Sequence, residues 1–245
     1  MKIAVLSDLH ANGDALEAVA RELERCRADR VFHLGDLVGY NAEPEQCVRW
    51  AMAHAEGGVL GNHDAVACGR SGGENFHEAA RVAALWSRDH LSAECRGFLS
   101  RLPPRLDLED GTILVHGAPG DPDRYIYSAF QAADELASLD LSGIEGPVFF
   151  GHTHVAGGFV RRKDGAVEHI PPKTVRLRRG ERALLNPGSV GQPRDRNPDA
   201  SFLLFDTGMR EATWVHVPYD IEAARAKVLA AGLPRVFADR LREGS

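Results

Sequence analysis

Short apolar segments alternate with helical patterns over the first part of the chain. Residues 2–7 form an apolar, strand-like run, and Leu16, Val19, Ala20 and Leu23 then recur at the spacing of one helix face. The alternation continues with a predicted strand over 30–34, a helix over 44–55 and a short strand over 57–60. Alternating strands and helices are typical of a largely parallel sheet that helices cover.

The second half of the chain is richer in strands. A helical, Ala-rich segment over 74–101 ends at Pro103 and Pro104, and turn signals at 109–111 and 163–165 then predict hairpins of strands 106–108 with 112–115 and 159–162 with 166–170. The other predicted elements are helices over 129–139 and 221–231 and strands over 148–150, 183–185, 201–205 and 212–217. We expect one domain over 1–245, with 74–101 as a helical insertion and two sheets packed face to face between helices.

Composition places the chain among globular proteins. Hydrophobic residues make up 44% and charged residues 26%, which indicates neither a disordered nor a membrane protein. The apolar runs are strand-length, so we expect no membrane span, and Asp8 interrupts the first run before a signal peptide could form, which favours a cytoplasmic location. The four cysteines are too far apart for a Cys-x-x-Cys motif, so we expect reduced, buried thiols.

The charge distribution bears on nucleic-acid binding. A net charge of −6 argues against the broad basic surface of a non-specific nucleic-acid binder. The segment 161–182 is a local exception, and its basic residues are Arg161, Arg162, Lys163, Lys173, Arg176, Arg178, Arg179 and Arg182. Two interpretations stay open, a solvated hairpin face and a DNA contact of a nuclease.

Five polar clusters begin where predicted apolar strands end. They are Asp8-Leu9-His10, Gly35-Asp36, Gly61-Asn62-His63-Asp64, His116-Gly117 and Gly151-His152-Thr153-His154. Ligands of α/β proteins bind outside the carboxyl ends of strands, so we expect the clusters to converge on one rim. Each cluster alone is more often structural than functional; the signal is the ordered set.

The side chains of these clusters suit divalent metal ions. Carboxylate and amide oxygens together with imidazole nitrogens match Mn²⁺, Fe²⁺, Co²⁺, Ni²⁺ or Zn²⁺. Seven ligands of this kind exceed the needs of one ion and predict two ions that share a carboxylate. The seven are Asp8, His10, Asp36, Asn62, His116, His152 and His154.

The ordered set resembles the calcineurin-like metallophosphoesterase superfamily, whose pattern is Asp-x-His, Gly-Asp, Gly-Asn-His-Asp/Glu, a lone His and Gly-His-x-His. Every motif is matched, and the Asn-Pro-Gly-Ser-Val-Gly segment at 186–191 further resembles the small, single-domain bacterial phosphodiesterase branch. The resemblance covers residues 1 to about 217. It implies a four-layer α/β/β/α sandwich and a metal-dependent phosphoric ester hydrolase in which a metal-bridging hydroxide attacks phosphorus.

The resemblance also implies a role for each residue. Asp8, His10 and His154 would hold one ion, Asn62, His116 and His152 the other, and Asp36 would bridge them, with manganese first among the candidate metals and iron, zinc, nickel and cobalt after it. His63 would be the catalytic histidine that faces the substrate phosphate. Asp64 would orient His63.

The sequence departs from phosphoprotein phosphatases in two places. They carry a phosphate-binding arginine directly after Gly-Asp, where Leu37 stands here, and a glutamate in place of Asp64. A phosphoprotein phosphatase is therefore disfavoured. Arg194, which follows a glycine-rich turn, becomes a candidate substrate contact, with a solvated loop arginine as the alternative.

The leading function is hydrolysis of small phosphodiesters, including nucleotide-derived ones. Nucleotide phosphatase or dinucleoside polyphosphate hydrolase comes next, and a nuclease or a non-catalytic binding scaffold after them. A nucleic acid partner is possible but not favoured, and we expect no membrane partner. A scaffold would be expected to have lost ligands, and none is missing. Among the other histidines, we expect His33 in the core or next to the metal ligands, His77 near the mouth of the site, and His54, His90, His169 and His216 in surface or structural positions.

Overall fold

The computed structural model describes residues 1–141 and 146–245. Its strands are β1 (Lys2–Leu6), β2 (Arg30–His33), β3 (Gly57–Gly58), β4 (Arg105–Asp107), β5 (Ile113–Val115), β6 (Val148–Phe149), β7 (Gly157–Arg161), β8 (Val167–Ile170), β9 (Val175–Arg176), β10 (Arg182–Asn186), β11 (Ala200–Asp206) and β12 (Glu211–Val217). Its helices are α1 (Gly13–Cys26), α2 (Pro44–His54), α3 (Asn62–Ala67), α4 (Glu78–Asp89), α5 (Ala93–Arg101), α6 (Ala129–Leu141), α7 (Ile221–Ala230) and α8 (Arg235–Glu243).

The strands form two mixed sheets. The first has the order β3-β2-β1-β11-β12-β9, in which β1 to β3 are parallel and the other pairs antiparallel. The second has the order β4-β5-β6-β10-β7-β8, with β5, β6 and β10 parallel. Helices cover the outer face of each sheet, so the expected α/β/β/α sandwich of two mixed sheets is confirmed.

Strand β1 explains why the first apolar run is continuous. Ile3 and Val5 pack between the sheets against residues such as Phe149, whereas Ala4 and Leu6 pack under α1. Both faces of β1 are therefore buried, and a strand buried on both faces loses the polar alternation of a surface strand. The two sheets and the helices outside them hold the carboxyl ends of the parallel strands at one edge.

Some elements differ from the sequence prediction. The segment 74–101 contains two helices, because α4 ends at Asp89 and the Ser92 side chain then caps α5 by accepting from Cys95 N at 3.2 Å. The third strand covers only Gly57–Gly58, and the short elements α3 and β9 were not predicted. The helix predicted to close the fold is followed by α8, which makes the end of the chain a helix pair.

The C-terminal helix pair packs close to the loops that follow the first sheet. Val228 of α7 and Phe237 of α8 share an apolar cluster with Tyr40, which lies four residues after Asp36. The four cysteines are free, but only Cys47 and Cys95 are fully buried. In the described part of the chain, the helices are too short or too polar to cross a membrane.

Candidate metal centre

The five polar clusters meet at one edge of the sandwich, where β1, β2, β5 and β6 end. All seven predicted ligands lie there, and the carboxylate and imidazole groups among them are buried. Five have a left-handed backbone, with φ between 45° and 66°; they are Asp8, His10, Asp36, His152 and His154. This conformation is unfavourable for residues other than glycine and clusters at functional sites, so the surrounding structure imposes it.

Backbone carbonyls fix the tautomer of four imidazoles. The contacts are His10 Nδ1 with Val38 O at 3.0 Å, His116 Nδ1 with Leu34 O at 2.8 Å, His154 Nδ1 with Gln192 O at 2.6 Å and His152 Nε2 with Asp123 O at 3.2 Å. A carbonyl oxygen can only accept, so each of these nitrogens carries a proton. Whenever one of these rings is neutral, its other nitrogen therefore offers a lone pair to the centre.

These lone pairs point at one another. His10 Nε2 lies 3.1 Å from His154 Nε2, and His116 Nε2 lies 3.1 Å from both His152 Nδ1 and Asn62 Oδ1. Acceptors that face each other at this distance repel unless a cation or a proton lies among them. Histidines oriented by backbone carbonyls are the usual arrangement around a metal, so the donor set fits divalent cations.

The carboxylate of Asp36 lies between the two groups of donors. Its Oδ2 is 3.5 Å from His10 Nε2 and 3.4 Å from His116 Nε2, while its Oδ1 accepts from His63 N at 2.9 Å. A Cβ on Gly61 would meet Asp36 Oδ1 at 2.1 Å, which explains the glycine at that position. One carboxylate therefore faces both donor groups.

Asp8 belongs to one group only. Its Oδ2 accepts from His152 N at 3.1 Å, whereas its Oδ1 is buried without a hydrogen-bond partner among the described residues. That oxygen lies 3.3 Å from His154 Nε2. An unpartnered buried carboxylate oxygen is costly unless a cation neutralises it.

Burial and mutual charge control the pKa values of the centre. Burial lowers the pKa of His152 to about 3 and that of His10 and His154 well below the ordinary value, which keeps these rings neutral. Burial alone would lower the pKa of His116, but Asp36 raises it to about 10. A proton on His116 therefore competes with a cation for the position beside Asp36.

The 186–191 segment joins two of the ligand loops. The Ser189 hydroxyl and the Gly191 amide both donate to the carbonyl of Asp8, at 2.7 and 2.9 Å. The Asn186 side chain donates to the carbonyl of Gly151 at 2.9 Å. The segment thereby holds the loops after β1 and β6 in a fixed relation.

His63 lies next to the centre without a polar partner for its Nδ1 among the described residues. Its ring packs against His10, Tyr40 and Phe76, with centroids 4.8, 4.5 and 4.7 Å away. Burial lowers its pKa to about 4. A Cβ on Gly39 would meet His63 Nδ1 at 2.2 Å, so the glycine leaves room for the ring.

The hydrogen bonds of Asp64 go to backbone amides of the ligand loops. Its Oδ1 accepts from Leu37 N at 2.9 Å and Val38 N at 3.3 Å, and its Oδ2 accepts from Gly61 N at 3.2 Å. Because its carboxylate binds amides of both segments, Asp64 holds together the two loops that carry Asp36 and Asn62.

Arg194 lies beside the centre and is held on three sides. Its backbone N donates to His154 O at 3.0 Å, and its Nη2 donates to Tyr40 Oη and to Gln192 Oε1, each at 3.2 Å. Its Nε is buried without a hydrogen-bond partner among the described residues. Arg194 is thus a half-buried, oriented arginine. Tyr40 is a neighbour of the site that the sequence did not predict. The one sequence signal for Tyr40 is its position in the loop that follows Asp36.

A cavity of about 420 Å³ opens next to the donors Asn62 and His152. Phe76 and Tyr125 contribute aromatic walls, and the Tyr125 ring stacks on His152 with centroids 4.0 Å apart. His77 lines this cavity, as predicted. Of the remaining histidines, His33 is buried, and His54, His90, His169 and His216 are exposed or half-buried away from the centre, in agreement with the sequence prediction.

Comparisons with known proteins identify the family. The model of the calcineurin-like phosphoesterase superfamily domain matches residues 1–210. An uncharacterised protein of Methanocaldococcus jannaschii is 34% identical over 245 residues, which cover 98% of this chain and 96% of that protein. The chain belongs to the calcineurin-like phosphoesterase superfamily, which confirms the resemblance in the sequence, and it is a metal-dependent phosphoester hydrolase.

Two solved structures share the whole fold. The crystal structure of a metallophosphoesterase from Sphaerobacter thermophilus is 36% identical with a TM-score of 0.85, and the match covers 100% of this chain and 99% of that one. A hypothetical protein from Pyrococcus horikoshii OT3 matches at 18% identity with a TM-score of 0.80, covering 100% and 98% of the two chains. The second likeness concerns the fold alone.

Proposed function

We propose that this enzyme hydrolyses small phosphodiesters, nucleotide-derived ones first, at a centre of two divalent metal ions. The observation that carries the proposal is the position of Asp36 Oδ2, 3.5 Å from His10 Nε2 and 3.4 Å from His116 Nε2, between two groups of inward-facing donors. The mixed oxygen and nitrogen donors suit manganese, which we propose as the native metal, with iron, zinc, nickel and cobalt as alternatives.

The donors divide into two coordination groups. Asp8, His10 and His154 have ligand atoms within 4.8 Å of one another, and so do Asp36, His116 and His152. We assign the first group to one ion, assign the second group with Asn62 to the other, and let Asp36 serve both. When bound, such a pair of ions generates a nucleophile from water at neutral pH and stabilises charge on a phosphoryl group.

The charge of this arrangement favours an anionic substrate. Two divalent ions carry four positive charges, and Asp8 and Asp36 are the only anionic ligands among the seven. The centre therefore stays cationic after the ligands are bound. A cationic site surrounded by buried groups attracts a phosphate ester and stabilises the charge that its oxygens gain in the transition state.

Arg194 is the proposed contact to a non-bridging phosphate oxygen. Its guanidinium is oriented by Tyr40 and Gln192, and its buried Nε has no other partner among the described residues. An oriented guanidinium binds phosphate through charge-assisted hydrogen bonds without first losing side-chain entropy.

His63 is the proposed catalytic residue. Its ring lies between Tyr40 and Phe76 and lines the cavity beside the metal ligands. A negatively charged phosphoryl group next to the ring favours its protonated form, which donates to the leaving oxygen or stabilises the phosphoryl charge. Asp64 supports the position of His63 indirectly. It holds the loop that carries Asp36, and Asp36 Oδ1 accepts a hydrogen bond from His63 N.

The cavity favours a diester over a simple monoester. It has a volume of about 420 Å³, and Phe76 and Tyr125 present aromatic faces that suit a planar group such as a base. A monoester of a small alcohol would leave these walls uncovered. A nucleotide phosphatase or a dinucleoside polyphosphate hydrolase would use the same walls and is the alternative that the substrate panel separates.

In the proposed enzyme, residues 1–245 form one domain. The matched family region ends at residue 210, yet Phe237 of α8 contacts Tyr40 with ring centroids 4.7 Å apart. Tyr40 in turn touches His63 and Arg194. The C-terminal helices are therefore part of the support of the site.

The test is hydrolysis of a substrate panel by metal-stripped protein that is resupplied with one metal at a time. The panel comprises bis-nitrophenyl phosphate, nitrophenyl phosphate, cyclic nucleotides, nucleoside monophosphates and diadenosine tetraphosphate. We expect no activity without metal, the highest kcat/KM on diesters and the strongest activation by Mn²⁺. His169→Ala, an exposed histidine away from the centre, is the control for His63→Ala. Preference for monoesters or for the tetraphosphate would refute the diester assignment, and metal-independent activity would refute the metal centre.

A further inference from the structure

The six arginines of 161–182 fall into two structural groups. In the first group, arginines are neutralised by acids: Arg161 and Arg182 pair with Asp140 at 2.5 and 3.4 Å, and Arg162 pairs with Glu168 at 2.9 Å. These residues form a solvated, ion-paired surface. That part of the segment needs no further partner.

The second group surrounds a separate cavity. Arg176, Arg178 and Arg179 line it together with Arg210, which the turn between β11 and β12 brings from a distant part of the sequence. The cavity has a volume of about 430 Å³, and its other walls are Leu177, Gly208 and Met209. No acidic residue is among the described residues that line it.

The guanidinium groups of this second group are largely unpartnered. Within residues 1–141 and 146–245 none of the four arginines forms an ion pair, and Arg210 Nε is buried without a hydrogen-bond partner. Arg176 uses only its Nε, which donates to Met209 O at 3.1 Å. Four neighbouring positive charges repel one another, so an anion among them would stabilise the site.

Two of the nearby acids, Glu181 and Asp206, are already engaged. Glu181 accepts from the Arg178 amide at 2.8 Å and pairs with Arg162 at 3.1 Å. Asp206 accepts from the Met209 amide at 2.9 Å. Glu211 is opposite Arg176 in the strand register and is half-buried, but no ion pair joins the two. Glu181 and Asp206 therefore hold the backbone of the site and form no ion pair with its four arginines.

Backbone contacts hold the two arginine-bearing segments together. Leu177 N donates to the carbonyl of Arg210 at 2.8 Å, and Arg210 has a left-handed backbone with φ of 52°. The β9–β12 pairing joins Val175 and Arg176 to the same turn. The arginines therefore lie on an edge of the first sheet that backbone hydrogen bonds hold in place.

This edge lies at the end of the first sheet that is opposite the metal centre. The centre follows the carboxyl end of β1, whereas antiparallel β11 ends at Asp206 beside Lys2, at the start of β1. The turn that carries Arg210 follows Asp206. The two sites are therefore separated by at least the length of β1, which is roughly 15 Å. Arg178 and Arg179 are too far away to contact a substrate phosphate at the metal centre.

We propose that this arginine cavity binds a small polyphosphate anion, such as inorganic tripolyphosphate or the phosphate tail of a nucleotide, without reacting with it. Guanidinium groups match phosphate oxygens in pairs, and several of them around one cavity suit a ligand with several adjacent negative charges. The cavity volume of about 430 Å³ and the net charge of −6 favour a compact anion over a long nucleic acid.

The test is titration calorimetry with inorganic tripolyphosphate on the full chain. The protein carries Asp36→Asn, which disables the metal centre. The buffer contains no free divalent ions, because tripolyphosphate would chelate them. We expect one binding site, weakened at least tenfold by the added pair Arg178→Gln and Arg179→Gln. The control pair Arg161→Gln and Arg182→Gln removes the same charge from the same segment and should change the Kd less than twofold.

Three results would overturn the proposal. The first is the absence of binding in the Asp36→Asn chain. The second is an equal loss in the two double variants, which would indicate a general effect of net charge. The third is tighter binding of a 12-nucleotide single strand than of tripolyphosphate, with the same dependence on Arg178 and Arg179, which would indicate a nucleic-acid surface. Circular dichroism of each variant verifies that the fold is kept.

Discussion

The hydroxyl of Tyr40 accepts a hydrogen bond from Arg194 Nη2 at 3.2 Å and fixes the guanidinium beside the metal centre. The Tyr40 ring also touches His10 and His63, with centroids 4.3 and 4.5 Å away, and rests on Phe237 of α8 at 4.7 Å. One buried tyrosine therefore links the C-terminal helices, the proposed phosphate contact and the proposed catalytic histidine.

The first prediction removes the Tyr40 hydroxyl. Tyr40→Phe keeps the ring packing but deletes one anchor of Arg194, a loss of about 1 kcal/mol that corresponds to about a fivefold rise in KM. Arg194→Gln should raise KM more, because it removes the charged donor itself. Steady-state kinetics and metal analysis measure both effects, and metal content should not change.

Tyr219→Phe is the matched control, since Tyr219 also accepts a side-chain hydrogen bond, from Asn12 at 3.3 Å, but does not touch Arg194. If Tyr40→Phe and Tyr219→Phe raise KM equally, the Tyr40 hydroxyl has no specific role in positioning Arg194.

The second prediction concerns the carboxylate that faces both donor groups. Asp36→Asn weakens both ions and removes one of two negative charges, so we expect the variant to lose both ions on dialysis. His154→Ala should lose mainly one, because His154 approaches only the Asp8 group. Elemental analysis after reloading counts the ions. A wild-type ceiling of one ion with full activity, or equal metal loss in the two variants, would contradict the bridging role.

The third prediction separates catalysis from metal binding. His63→Ala should keep both ions and lower kcat by roughly 10²–10⁴-fold for esters of alkyl alcohols. A nitrophenyl ester needs less protonation of its leaving oxygen, so its rate should fall less if His63 is a general acid. Equal losses on both esters would indicate stabilisation of the phosphoryl charge instead. Metal loss, or an unchanged kcat on both esters, would rule out the proposed role of His63.

The fourth prediction follows from the hydrogen bonds of Asp64. Asp64→Asn replaces one acceptor of backbone amides by a donor, so the loop that presents Asp36 should loosen. We expect weaker metal affinity at unchanged leaving-group dependence of kcat. Metal titration and the pair of esters used for His63 measure the two quantities. A change in leaving-group dependence with normal metal affinity would restore a direct action of Asp64 on His63.

The fifth prediction concerns stability in acid. Burial lowers the pKa of His33 to about 4, so in the folded state this ring stays neutral where the unfolded chain is protonated. Its contribution to stability is full above its unfolded pKa, near 6.5, and is lost as the pH falls from there towards 4. Between pH 7 and pH 5 the loss is about 2 kcal/mol.

His33→Asn removes this loss and keeps an acceptor for the Gly35 amide, which His33 Nδ1 binds at 3.3 Å. The free energy of unfolding of metal-stripped wild type, from urea titrations, should fall more steeply between pH 7 and pH 5 than that of the variant. Parallel curves would show that His33 does not contribute to the loss of stability in acid. His54→Asn, at an exposed position, should leave the wild-type slope unchanged.

The sequence by itself determined most elements of the sandwich and the chemical types at its edge. The run over 2–7, the alternation of strands and helices and the hairpin turns are local patterns, and local backbone preferences decide them. Polar clusters directly after strands identified Asp8, Asp36 and His116 as neighbours, because strand ends meet at one edge of a sheet. The family followed from the order of those clusters.

Only the tertiary structure decided how these groups are held. The carbonyls of Val38 and Gln192 orient His10 and His154, and every residue type has a carbonyl, so no sequence pattern marks them. The hydrogen-bond partners of Asp64 are backbone amides, so no sequence pattern marks them either. Tyr40 contacts Arg194, and Arg210 lines one cavity with Arg178, across large separations in the chain. Such contacts depend on how sheets and helices pack, and the periodicity of a single segment carries no information about the segment that will pack against it.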